Sequence, residues 1–134
     1  MLSFRQSMSM VLIGIALWAL CLLVARLVPV LLEDSLACGL LFAVTPVGAG
    51  LLILGARRMA GLRRDQIVVA AAWVAAIAMV LDGLVLRWLP GAYGGEDEVT
   101  RMAGAWLLWG YGVTFAIALW MGRDLPAERA GERS

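Results

Sequence analysis

Four long apolar runs, each closed by a short polar stretch, organise this chain. They cover residues 10–32, 36–56, 67–89 and 102–122. Each is close to the ~20 residues that carry an α-helix across a ~30 Å hydrocarbon layer. None shows the apolar–polar alternation of a membrane β-strand. A backbone surrounded by lipid must also close its own hydrogen bonds, which a helix does within one segment. The pattern predicts an all-α fold, a polytopic membrane four-helix bundle built as a single domain over residues 1–134, with a polar tail at 123–134. The first run is 23 residues long, more than the apolar stretch of a cleaved leader, and Leu20 before Cys21 is not the small residue of a lipoprotein cleavage site. It reads as a retained helix.

The polar stretches carry the chemistry of helix ends. Glu33, Asp34 and Ser35 form a short acidic turn in which Asp34 or Ser35 caps the second helix. Gly61 separates two arginine pairs, and Asp65 is placed to cap the third helix. Pro90 and Gly91 stop that helix, and Gly94 and Gly95 make a flexible connection. The run Glu96, Asp97 and Glu98 sets negative charge at the positive end of the fourth helix.

Composition strengthens the membrane reading. Of 134 residues, 63% are hydrophobic and 16% charged, and so small a globule has no interior large enough to hide that excess. The net charge of +1 excludes the broadly basic surface of a nucleic-acid binder. The chain contains no histidine, which removes imidazole catalysis and histidine-ligated metals. Cys21 and Cys38 lie in different apolar runs and read as small buried residues. No metal-ligand spacing, paired-carboxylate motif or phosphate-binding loop is present. The expectation is therefore a protein that is not an enzyme and takes no cofactor or metal.

The distribution of charge predicts sidedness. There is no lysine, and eight arginines (Arg5, Arg57, Arg58, Arg63, Arg64, Arg123, Arg129 and Arg133) fall on one side of the four spans. The opposite side has Arg87 and Arg101 together with five acidic residues. The positive-inside rule places both termini and the arginine-rich turn in the cytoplasm. Arg87, close to its helix end, reads as an interfacial residue that snorkels, and Trp88 and Trp120 as members of opposite aromatic belts.

Two charges remain within the spans, Arg26 in the first and Asp82 in the third. Each costs about 2.5–3.5 kcal/mol at a helix centre. If the first run is one helix to Leu32, Arg26 lies about 10 Å below its outer edge, and Asp82 about 12 Å below Pro90. The two then share one layer and predict an ion pair. Asp82 stands on a stripe with Ala71, Ala75 and Ala78, which lets another helix approach closely. Trp73 falls on the opposite face. Thr45, next to the helix-kinking Pro46, and Trp109 and Tyr111 in the fourth span lie at similar depth. The candidate intramembrane polar layer is thus Arg26, Thr45, Asp82, Trp109 and Tyr111.

The motifs GAWLLWGYG (Gly104 to Gly112), VLDGLVL around Asp82 and VARLV around Arg26 resemble a family of small bacterial membrane proteins known as a domain of unknown function. The resemblance extends over nearly the whole chain. It implies a four-span fold in the bacterial cytoplasmic, or inner, membrane and transfers no site residue. The chain is also similar in length and span number to the small multidrug exporters. Those carry a glutamate in the first helix, where this sequence has Arg26, of opposite sign. The leading expectation is a non-enzymatic accessory or scaffold component held by an Arg26–Asp82 pair. The alternative is a small oligomeric transporter or channel using Asp82. Expected partners are the lipid bilayer and a second copy or another membrane protein, not nucleic acid.

Overall fold

In the computed structural model, which describes residues 1–95 and 97–123, the chain is helical throughout, without a strand among those residues. The helices are α1 (Phe4–Leu27), a single turn α2 (Val30–Glu33), α3 (Ser35–Ala60), α4 (Ile67–Trp88) and α5 (Asp97–Met121). Short 3-10 turns at Arg64–Gln66 and Pro90–Tyr93 join α3 to α4 and α4 to α5. Helices α1, α3, α4 and α5 are each long and apolar enough to cross a membrane.

The first apolar run is shifted and divided relative to the expectation of a helix over 10–32. It starts at Phe4, where Ser3 and Gln6 form a reciprocal capping box: Gln6 N donates to Ser3 Oγ and Ser3 N to Gln6 Oε1. It stops at Leu27, because Pro29 disfavours helical geometry at Val28 and supplies no donor of its own. The chain then restarts as α2, with Pro29 as its N-cap.

Other ends follow the residues more closely. Asp34 caps α3 by accepting from Ala37 N at 2.8 Å. Gly61, with φ of 60°, closes α3 in the left-handed conformation, and Leu62 N then reaches Arg57 O at 3.0 Å. Leu62 is buried beneath the arginine-rich turn, against Met10, Ala70 and Val74. Asp65 does not cap α4. It takes both guanidinium bonds of Arg63, at 2.9 and 2.8 Å, while Gln66 Oε1 accepts from Arg63 N and Gln66 Nε2 donates to Met1 O. A side-chain amide serves both ends of this turn because, unlike carboxylate, it donates as well as accepts. Asp97 and Glu98 occupy the first turn of α5; Glu96 and the expected tail beyond Arg123 lie outside the described residues.

Around the bundle the order is α1, α4, α5, α3. The α1–α4 contact is close because Gly14 faces α4; a Cβ there would lie 3.0 Å from Val74 O and 3.3 Å from Ile77 Cβ. Opposite it, Ala71, Ala75, Ala78 and Asp82 are all buried, whereas Trp73 is exposed. That is the rotation of α4 expected from its alanine stripe. The α1 and α3 helices, consecutive long segments in the chain, barely touch, and the bundle is open along that side.

Candidate functional site

The single buried charge among the described residues, Asp82, is 4% exposed. Both of its carboxylate oxygens accept from tyrosine hydroxyls: Oδ1 from Tyr93 and Oδ2 from Tyr111. Tyr111 belongs to α5, as expected of a bundle-facing residue. Tyr93 comes from the Pro90–Tyr93 turn, which folds back so far that its side chain is 0% exposed. Gly94 makes the return possible. Its φ is 133°, and a Cβ would stand 3.1 Å from Val99 Cγ1. The turn expected to be a flexible outer connection is thus packed against Ala25, Leu32, Val99, Ala103 and Leu107. The Trp18 indole lies against Asp82 and Tyr93 with its Nε1 buried and without a closed hydrogen bond.

Arg26 is not part of this cluster. It is exposed, and among the described residues no ion pair reaches Asp82. The expected Arg26–Asp82 pair fails for a physical reason: the break at Pro29 puts Arg26 in the last turn of α1 rather than mid-helix. There it sits at the negative end of the helix dipole and near the bundle's end. Asp82, by contrast, is six residues inside the end of α4, about 9 Å along the axis. The two charges share neither depth nor face.

Thr45 and Trp109 do not bond to Asp82 and form a second polar station, between α3 and α5. Pro46 has no N–H, so the carbonyl four residues earlier, Phe42 O, loses its helical donor. Trp109 Nε1 supplies one at 3.0 Å, with its ring stacked on Phe42 at a centroid separation of 6.3 Å. Thr45 Oγ1 donates to Leu41 O at 2.7 Å and accepts from Trp106 Nε1 at 2.9 Å. Two tryptophans one helical turn apart on α5 therefore hold the proline-containing stretch of α3, which continues unbroken from Ser35 to Ala60.

The expected layer of five residues thus separates into three places. Asp82 and Tyr111 meet; Thr45 and Trp109 join at the Pro46 station; Arg26 stands outside. Tyr93 and Trp18 were not anticipated, and Trp106, which the sequence offers as either a cavity-lining or a packing residue, was left out of the layer. For Tyr93 the available signal was a tyrosine in an otherwise glycine-rich turn just beyond the helix that carries Asp82. For Trp106 it was an indole three residues before Trp109 on the same helix. Cys21 borders the Asp82 cluster and Cys38 is buried; neither forms a disulfide. Among the described residues, no three His, Cys, Asp or Glu side chains gather where they would hold a metal ion.

The open side of the bundle forms a groove of about 620 Å³ between α1 and α3, floored by α5. Trp18, Cys21, Val44, Gly48, Trp106 and Tyr111 are among its lining residues, and none of the lining residues is charged. Its hydroxyls are engaged elsewhere: Tyr111 with Asp82, Thr45 with Leu41 and Trp106. The groove presents apolar surface with very little free hydrogen-bonding capacity. Protein-family profiles, curated proteins and solved structures give no match to the chain.

Proposed function

We propose that the chain is a four-span integral membrane protein acting as a non-enzymatic accessory or scaffold component, in which Asp82 fastens the bundle and does not carry a substrate. The observation that carries this reading is the closure of Asp82, 4% exposed with a tyrosine hydroxyl on each oxygen. A carboxylate that binds and releases an ion or proton needs a water path; this one is buried, with a tyrosine hydroxyl on each oxygen. Its bonds tie α4 to α5 and to the Pro90–Tyr93 turn, which favours a role in fixing helix rotation and the outer connection. Much of the surface of the four long helices is leucine, valine and tryptophan, as lipid or another membrane protein would require. Both termini and the arginine-rich turn are assigned to the cytoplasmic side from the arginine distribution, and the resemblance stated above points to a bacterial inner membrane.

The second reading, a small oligomeric transporter or channel, draws on one feature. Tyr111 lines the groove while its hydroxyl holds Asp82, so movement of that ring would open the carboxylate. Reconstituted vesicles separate the two. The scaffold reading expects no proton or cation flux above that of empty vesicles; flux that Asp82→Asn abolishes would overturn it. Sidedness is tested in a Cys21→Ala, Cys38→Ala background, with Arg64→Cys and Glu33→Cys labelled in intact cells by an impermeant maleimide. Label at Glu33→Cys alone is expected, and label at Arg64→Cys alone would invert the assignment.

A further inference from the structure

We propose that the arginine-rich end of the bundle is a docking surface for the phosphate headgroups of anionic phospholipids; this rests on the membrane reading above. The first support is where the cations meet. Gln6 Nε2 donates to Ala60 O at 3.2 Å, which ties the start of α1 to the end of α3. Gln66 Nε2 donates to Met1 O at 3.0 Å, and a Cβ on Gly122 would lie 3.5 Å from Arg64 O. The starts of α1 and α4 and the ends of α3 and α5 therefore share one end of the bundle. Arg5, Arg57, Arg58, Arg64 and Arg123 gather there from four separate stretches of chain.

The second support is that their charge is not met from within. Among the described residues the carboxylate at this end is Asp65, and Arg63 takes both of its oxygens. Among those residues no ion pair holds the other five arginines, and all but the half-buried Arg57 are exposed. Arg57, Arg58 and Arg123 stand where helices end, at the negative pole of the dipole. Arg5 and Arg64 do not. Arg5 is in the first turn of α1 and Arg64 in the turn leading into α4, both at positive poles. Neither helix has an acidic residue in its own first turn. Cations set there raise the energy of this end until an anion from outside joins them. Guanidinium suits phosphate in particular, since its planar fork of N–H donors grips two oxygens at once.

The third support selects a lipid over a dissolved anion. Phe4 beside Arg5, Met59 beside Arg58, and Trp120 one turn before Arg123 are all exposed. The rim of this end thus alternates large apolar side chains with guanidinium groups. That order fits the boundary of a bilayer, where apolar groups enter the acyl layer while the cations stay level with phosphate. A soluble phosphate would use the arginines and leave Phe4, Met59 and Trp120 in water.

Melting of the purified full chain in a neutral detergent, followed by tryptophan fluorescence, tests the surface. Dioctanoyl phosphatidylglycerol, dioctanoyl phosphatidylcholine and glycerol phosphate are titrated separately. A ligand that binds the folded protein alone raises the melting midpoint. Each arginine beside an anionic headgroup contributes roughly a fivefold preference. The response to phosphatidylglycerol should thus reach half its maximum at a concentration roughly fivefold or more below that for phosphatidylcholine, with glycerol phosphate inert. Arg5→Gln with Arg64→Gln should remove that preference, each variant being compared with its own midpoint without lipid. Arg58→Gln with Arg123→Gln should weaken it likewise, so the test does not depend on one pair folding. Arg26→Gln with Arg87→Gln, at exposed arginines of the opposite end, should keep it.

Equal responses to the two lipids would overturn the inference, as would a preference that survives in a folded variant of either arginine-end pair. An equal response to glycerol phosphate would replace the lipid by a dissolved phosphate and overturn it too. Release of the protein from cell membranes by alkaline carbonate would remove the membrane reading itself; retention in the membrane with equal lipid responses removes the headgroup inference alone.

Discussion

Tyr93→Phe and Arg26→Gln together test what holds Asp82. Tyr93 is fully buried, and phenylalanine keeps its ring and its packing against Ala25 and Val99, so the first change deletes a hydroxyl and little else. Hydrogen bonds between membrane helices average only about 0.6 kcal/mol, because the separated groups find other partners. Asp82 Oδ1 has less choice: Tyr93 is its donor, the carboxylate is 4% exposed, and Trp18 Nε1 stands beside it with an unused proton as the substitute donor. Leaving a buried charged acceptor open costs about 1.5–3 kcal/mol. The expected loss is thus about 2 kcal/mol, roughly a 25-fold change in the folding equilibrium. Arg26→Gln alters an exposed side chain in a final helical turn and should shift stability by less than about 0.5 kcal/mol. Equilibrium unfolding of the purified protein in mixed micelles, with increasing SDS fraction, reads both. If Arg26→Gln costs as much as Tyr93→Phe, or if Tyr93→Phe costs nothing, the tyrosine clasp is the wrong account of Asp82.

The Pro46 station predicts a coupled pair. Trp109→Phe keeps the ring near Phe42 but removes the donor to its carbonyl, at a cost of about 0.5–1.5 kcal/mol. In a Pro46→Ala background the new backbone N–H restores that donor, and the same substitution should then cost almost nothing; equal costs in both backgrounds in the micelle assay would disprove the link. Gly14→Leu should force α1 from α4, because the first added carbon meets Val74 O at 3.0 Å; a loss of about 1–3 kcal/mol is expected, and unchanged unfolding would refute the close approach.

Several features were legible along the chain because they depend on local composition and period. The lengths of the apolar runs foretold four long helices, and a period of 3.6 residues placed Ala71, Ala75, Ala78 and Asp82 on one face of α4, all of them buried. Asp34 and Gly61 ended helices as their side-chain chemistry and backbone freedom require. Asp65 did not behave as a cap, because an arginine two residues away offered its carboxylate two stronger bonds. Arg26 was misplaced by a depth scale that assumed an unbroken helix through Pro29.

By itself, then, the sequence determined that there are four long apolar helices, which face of α4 turns inward, and where the arginines accumulate. Only the tertiary structure decided the partners. A helical period reports a direction from the axis and says nothing about which element stands in that direction. The order α1, α4, α5, α3 brings Tyr111 to Asp82 and sends Trp109 to the carbonyl that Pro46 released. The fold-back at Gly94 carries Tyr93 into the bundle from a turn with no periodicity to read. The same order separates α1 from α3 and leaves the groove between them, a space that belongs to neither helix alone.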